Sequence, residues 1–281
     1  MSKDTRKKKL NTRLIRNYKR HNGQQSPGKN ACGRNYLQML TCYDYQTAQL
    51  LDELEQLDLI LVGDSLGNVI LGYETTVEVT LEEMVVFGAA VKRGAANTFT
   101  IVDLPFATYP SIARGIECAC RLFQKTKAEA LKLEGAEEYK LKLITRLTQI
   151  GIPIMGHIGL TPQSVHEQGG YYVHGLSERD GERLLRSAVQ LEEAGVFAMV
   201  LECIDEQVAA KITANVGIPT IGIGSGAEVD GQVLVTNDLL KMGPARPPKF
   251  CTPVTDLYEL RKNLIKEYLQ RTPGPGVIRS E

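Results

Sequence analysis

Eight short apolar runs, at residues 36–42, 59–62, 99–102, 130–133, 153–156, 198–201, 220–223 and, more weakly, 233–236, alternate with stretches whose apolar residues recur at helical spacing. Leu50, Leu51, Leu54 and Leu57 mark such a helix near residues 46–56, and Thr80 with Glu83 forms a capping box before one reaching Arg93. Ser111 can cap a helix running to about Lys125. Further helices are predicted at residues 138–149, 178–194, 206–216 and 254–270, the last stopping before Pro273-Gly274-Pro275. Strands separated by helices must run parallel, through right-handed crossovers, in a sheet covered on both faces. Eight of them favour closure into a (β/α)₈ TIM barrel, which takes about 250 residues as one unit. An open dinucleotide-binding sheet is disfavoured, because no G-x-G-x-x-G follows the first run. The expected layout is a basic extension over residues 1–34, one catalytic barrel over 35–272 and a tail over 273–281.

Charge narrows the partners. Among 281 residues, 33 are basic and 33 acidic, which gives no global attraction for nucleic acid or a membrane surface. No apolar stretch approaches the roughly 20 residues needed to span a bilayer. Six cysteines form no C-x-x-C pair and read as reduced thiols of a cytoplasmic protein. Residues 1–22 depart from this neutrality, with nine Lys or Arg against Asp4 alone. They read as a solvated, partly disordered arm with some helix around residues 10–18, or as an organellar transit segment. Poverty in serine and the Lys7-Lys8-Lys9 cluster weigh against transit.

Barrel enzymes draw their chemistry from the C-terminal ends of the strands. Here the second run ends in Asp64-Ser65, the third in Asp103, and the fourth in Lys132-Leu133-Glu134. The fifth ends in Gly156-His157 and the sixth in Glu202. Five polar ends in succession would each carry a desolvation cost if they served packing alone. Converging carboxylates repel one another unless a cation lies between them, and an oxygen-ligated Mg²⁺ fits that role. Asp64, Asp103 and Glu134 are the metal candidates; separate salt bridges, such as Glu134 with Lys132, are the alternative. His157 reads either as a site residue or as a hydrogen-bonded core histidine. His166 and His174 lie in a polar loop and are expected to face solvent. The turn Gly222-Ile223-Gly224-Ser225-Gly226 could cradle a phosphate or simply be tight.

These motifs match a known pattern. Val62-Gly63-Asp64-Ser65-Leu66-Gly67, Asp103-Leu104-Pro105-Phe106, Lys132-Leu133-Glu134-Gly135 and the run from Gly156-His157 through Thr161-Pro162-Gln163-Ser164 resemble ketopantoate hydroxymethyltransferases. So do Gly169-Gly170-Tyr171, Leu201-Glu202-Cys203 and Pro248-Lys249-Phe250, so the resemblance covers roughly three-quarters of the chain. The resemblance implies a barrel of the phosphoenolpyruvate/pyruvate type. The implied reaction is hydroxymethyl transfer from 5,10-methylenetetrahydrofolate to 3-methyl-2-oxobutanoate, yielding 2-dehydropantoate for pantothenate synthesis. It assigns Mg²⁺ to Asp64, Asp103 and Glu134, keto-acid contacts to Asp64, Ser65, Asp103, Lys132 and His157, and the role of base to Glu202. It also implies a homo-oligomer, a decamer in bacterial forms.

Three positions depart from the pattern. Lys127 stands where glycine is usual, Gly135-Ala136 replaces Gly-Gly, and Asn237-Asp238 replaces His-Asp. The competing enzymatic reading is another Mg²⁺-dependent barrel, a lyase or mutase acting on pyruvate-like acids. A non-enzymatic scaffold would leave five polar strand ends unused.

Overall fold

The computed structural model describes residues 9–19 and 36–271, and within these eight parallel strands close into one barrel in the order β1 to β8. The strands are β1 (Leu37–Thr41), β2 (Leu59–Val62), β3 (Phe99–Asp103), β4 (Ala130–Glu134), β5 (Ile154–Gly159), β6 (Ala198–Glu202), β7 (Thr220–Ile223) and β8 (Gly231–Leu234). Ahead of them lies α1 (Thr12–Arg16), and between them α2 (Tyr45–Glu53), α3 (Leu81–Gly94), α4 (Ile112–Thr126) and α5 (Glu138–Gln149). A short α6 (Val165–Gln168), α7 (Glu178–Glu193) and α8 (Glu206–Asn215) follow. The chain divides into two units at residues 233 and 234. In the second, α9 (Thr236–Leu239) leads to α10 (Leu257–Arg271), tied by Tyr258 N–H to Lys241 O and by a Lys241–Asp256 ion pair.

Local rules account for most boundaries. Thr80 and Glu83 form the expected reciprocal box, at 3.2 and 2.7 Å, and Ser111 accepts from the Arg114 amide. Helix α4 ends on Lys127, whose φ of 57° is the left-handed cap conformation that glycine adopts freely.

Alternation sorts the strand side chains into two cores. Ile60, Val62, Val102, Leu131, Leu133 and Leu201 pack toward the helices, in one buried cluster. Met39, Leu59, Leu61, Phe99, Ile101, Met155 and Val200 fill the barrel interior, in another. Each such side chain contributes roughly 1.5–3 kcal/mol by leaving water.

The structure corrects three expectations. β5 extends to Gly159, so His157 lies within the strand and not beyond its end. β8 begins at Gly231, before the expected 233–236 run, and Thr236 starts α9. A side chain at Gly231 would place Cβ 2.6 Å from the Leu37 carbonyl, so close strand pairing demanded the one residue that carries no apolar signal. The arm is not simply solvated: Ile15 and Tyr18 are buried in the barrel-interior cluster beside Phe99 and Phe197. Lys19 reaches Asp230 at 3.0 Å in a buried ion pair. Residues 1–8 and 20–35 of that arm lie outside the described residues.

Candidate active site

Parallel register brings the polar strand ends side by side. Asp103 pairs with Lys132 across β3 and β4, Glu134 with His157 across β4 and β5, and Gly159 with Glu202 across β5 and β6. Lys132 and Glu134 are two residues apart and share one side of β4, opposite the apolar Leu131 and Leu133. Asp64 follows β2, and its amide donates to Asp103 Oδ2 at 3.1 Å. Gly159, at φ +99°, lets β5 turn where any Cβ would fall 2.2 Å from the Glu202 carbonyl. All six predicted residues from Asp64 to Glu202 therefore meet at one end of the barrel. Ser65 joins them, with its hydroxyl 2.8 Å from that of Tyr43, just beyond β1.

Lys132 occupies the middle of the acids. Its Nζ lies 3.1 Å from Asp103 Oδ2, 3.9 Å from Glu134 Oε1 and 3.2 Å from His157 Nδ1. Burial disfavours its charge, but Asp103, Glu134 and Asp64 outweigh that and raise the ammonium above its ordinary value. The separate salt bridge weighed for Glu134 with Lys132 is thus part of a shared cluster. His157 lies between two carboxylates, with Nδ1 3.4 Å from Glu134 and Nε2 3.2 Å from Glu202. Burial and Lys132 push the imidazole down, yet these two carboxylates raise it to about 9. The Lys132 approach to Nδ1 works against that proton, and the paired acids win. Burial, then Asp103 and Glu134, pushes the Asp64 carboxyl well up, against the opposing pull of Lys132 and Gln163. Glu202 is the most accessible acid of the group, its side chain 19% exposed against 2% for Asp103 and Glu134.

Other side chains complete the site without a sequence signal of their own. Gln163, in the turn Pro162–Ser164 after β5, donates to Asp64 and Glu134, and Tyr109 donates to it. Gln163 stands inside the most specific motif, but nothing in the spacing gave it a role. Tyr171 is 60% exposed, and burial, Glu202, Asp64 and Glu134 raise its phenol, which puts the loop before α7 at the mouth. His166 is exposed as expected, but His174 is not. It is 2% exposed, bridges Ile204 through its backbone and stacks on Tyr172 at 4.3 Å. The Gly222–Gly226 region is braced by Ser225, whose hydroxyl donates to Leu201 O and accepts from the Ile204 amide. That bonding is the tight-turn arrangement, and it supports the end of β6.

The acids suit a divalent cation. Asp103 Oδ1 is buried without a hydrogen-bond partner among the described residues, and Glu134 Oε1 meets only the longer approaches of His157 and Lys132. Unsatisfied buried carboxylate oxygens are costly unless something charged meets them. Among the described residues no three His, Cys, Asp or Glu side chains are gathered as a finished cage. Mg²⁺ does not need one, since it takes one or two carboxylates and completes its shell with waters and substrate oxygens.

A model of one family, ketopantoate hydroxymethyltransferase, matches residues 29–273. The chain belongs to the ketopantoate hydroxymethyltransferase family. Relatives named 3-methyl-2-oxobutanoate hydroxymethyltransferase include one from Thermotoga neapolitana, 48% identical over 250 residues, covering 89% of this chain and 91% of the relative. Another, from Trichodesmium erythraeum, is 51% identical over 230 residues, covering 82% and 87%. The fold is shared more widely. Phosphoenolpyruvate phosphomutase from Streptomyces platensis subsp. rosaceus superposes with a TM-score of 0.62 at 10% identity, over 93% of this chain and 88% of that one. A 2,3-dimethylmalate lyase of the PEP mutase/isocitrate lyase superfamily gives 0.58 at 12%, over 95% and 88%. These likenesses bear out the closed (β/α)₈ barrel that the strand pattern and motifs implied.

Proposed function

We propose that this chain transfers a hydroxymethyl group from 5,10-methylenetetrahydrofolate to 3-methyl-2-oxobutanoate, giving 2-dehydropantoate in pantothenate biosynthesis. The observation that carries the reading is the meeting of Glu202, His157 and Lys132 with Asp64, Asp103 and Glu134 at one end of the barrel. Family membership supplies the substrate.

The reaction needs a proton removed from C3 of a 2-keto acid, with negative charge developing on the keto oxygen. Asp64, Asp103 and Glu134 would hold Mg²⁺, which supplies Lewis-acid stabilisation of that charge when bound. Glu202 is the base that accepts the C3 proton, since it is the accessible acid of the cluster. Lys132 and the Ser65 hydroxyl bind the keto-acid carboxylate, the ammonium being held charged by the acids around it. Tyr43, hydrogen-bonded to Ser65, fixes that hydroxyl. His157 Nε2 lies 3.2 Å from Glu202, so the imidazole is held beside the base and against the substrate. The folate methylene carries two C–N bonds: the C3 carbanion equivalent replaces one with the new C–C bond, one water replaces the other with C–O, and the C3 proton and a water proton pass to the two nitrogens of the released tetrahydrofolate.

Purified chain supplied with both substrates tests this directly. Methylenetetrahydrofolate-dependent loss of 3-methyl-2-oxobutanoate is the expected result. Release of pyruvate from a larger acid, without folate, would replace the reading with a lyase of the same fold.

The assembled protein is a homo-oligomer in this reading, a decamer by family resemblance. Leu260, Leu264, Ile265, Tyr268 and Leu269 of α10 are exposed by half or more, which supports self-association. A cytoplasmic location is part of the same reading, supported by five described cysteines that are all free. Light scattering of the pure chain tests the assembly.

A further inference from the structure

Gln163 is 6% exposed, and its backbone N–H and both ends of its side-chain amide are hydrogen-bonded. Its backbone N–H donates to Glu134 Oε2 at 3.1 Å. Its side-chain Nε2 donates to Asp64 Oδ2 at 2.7 Å and to the Leu104 carbonyl at 2.9 Å. Its Oε1 accepts from the Tyr109 hydroxyl. The direction of the amide is dictated by its neighbours. Turned over, it would aim Oε1 at a carboxylate and a carbonyl, both acceptors only, and two buried acceptors would lose their donor. Tyr109 is the group with a hydrogen to give, so it selects the orientation that leaves Nε2 for Asp64.

One residue therefore grips two acids on different strands, Asp64 after β2 and Glu134 in β4, whose Cα atoms belong to segments 70 residues apart in sequence. In each acid it bonds one oxygen, Asp64 Oδ2 and Glu134 Oε2, and leaves the other to different partners. For Glu134 that remaining oxygen, Oε1, is buried and meets no closer group than His157 Nδ1 at 3.4 Å and Lys132 Nζ at 3.9 Å. We propose that Gln163, oriented by Tyr109, is a positioning residue for the divalent cation, fixing the carboxylates of Asp64 and Glu134 so that their remaining oxygens are presented to it. This rests on the reading that those acids hold a metal. A glutamine serving the turn Pro162–Ser164 alone would have no reason to spend both side-chain amide hydrogens and its backbone amide on a rim that includes two such acids.

Mn²⁺ binding to the full chain, followed by electron paramagnetic resonance of the free ion, separates the alternatives. Gln163→Met keeps the volume and removes the amide. Loss of a partner that orients a ligating carboxylate weakens metal binding by about 10–100-fold, and that is the expected effect here. The keto-acid KM at saturating Mn²⁺ should change by less than about threefold, because the metal site is refilled by mass action. Tyr109→Phe, which removes one hydroxyl, should weaken Mn²⁺ in the same direction. The double variant should be no worse than Gln163→Met alone, since both act through one amide. Mn²⁺ affinity within about twofold of wild type in either folded single variant overturns the proposal. Should Gln163→Met fail to fold, Tyr109→Phe decides alone. A wild-type chain that binds no Mn²⁺ overturns the metal reading itself, and this one with it.

Discussion

Lys132 Nζ lies 3.1 Å from Asp103 Oδ2, and the two residues are direct partners in the β3–β4 register. An ammonium thus fills the centre of an acid cluster that would otherwise repel itself. In the proposed reaction it also binds the substrate carboxylate, so substrate binding and acid neutralisation are competing uses of one charge. Lys132→Met should leave those acids without their internal cation. The expected result is loss of keto-acid affinity together with tighter dependence on added Mg²⁺, measured as a family of saturation curves at several metal concentrations.

Glu202→Gln keeps the shape of the proton acceptor and removes its basicity. Turnover should fall by about 10²–10⁴, the range for a general base, with keto-acid binding little changed. Steady-state kinetics with a separate binding titration check this. Wild-type turnover in the variant would remove Glu202 from the mechanism.

The metal assignment predicts that excess chelator abolishes activity and that Asp64→Asn combined with Asp103→Asn cannot be rescued by added Mg²⁺. Full activity in chelator would sink it.

His157 gives a pH dependence for the metal-free protein. Its imidazole is raised from an ordinary value near 6.5 to about 9, by Glu134 and Glu202 working against burial and Lys132. A raised value means that the folded state holds the proton more tightly than the unfolded chain. The stabilisation is therefore fully present below about pH 6.5 and is lost as pH rises through about 9. Denaturant unfolding should show wild type losing up to about 3 kcal/mol over that interval, a loss that His157→Gln lacks. Parallel curves for the two proteins across it would contradict the arrangement.

Lys127→Gly should stabilise the fold. A left-handed conformation costs a non-glycine residue about 1–2 kcal/mol, partly offset by the greater freedom of glycine in the unfolded chain. A gain of up to about 1 kcal/mol, read as a rise of a few degrees in Tm, is expected.

The barrel was legible in the sequence because buried parallel strands are apolar on both faces, which leaves runs such as Leu59–Val62 that alternation cannot hide. The polar strand ends were legible for the same reason, since Asp103 and Glu202 interrupt apolar runs at their last positions. What escaped had no such contrast. Gly231 starts β8 with no side chain at all, and Gln163 sits in a turn, where its bonding depends on strands far away in sequence. His174 is buried through a backbone bridge to Ile204, which no pattern of side chains announces. Ile15 and Tyr18 are core residues set among lysines and arginines, so local composition reported solvent where tertiary packing decided otherwise.

The pairing of Lys19 with Asp230 carries a consequence for how the molecule is made. The two are 211 positions apart, so the floor of the barrel cannot be sealed until nearly all of that unit has been synthesised. Until then Ile15 and Tyr18 have no complete cavity to enter, and the open ends of a growing parallel sheet stay exposed. Closing so long a loop is an entropic cost that grows only slowly with length, so the delay is one of order of events more than of free energy. Helix α1, which precedes every strand of the barrel, is then among the last of the described elements to find its place.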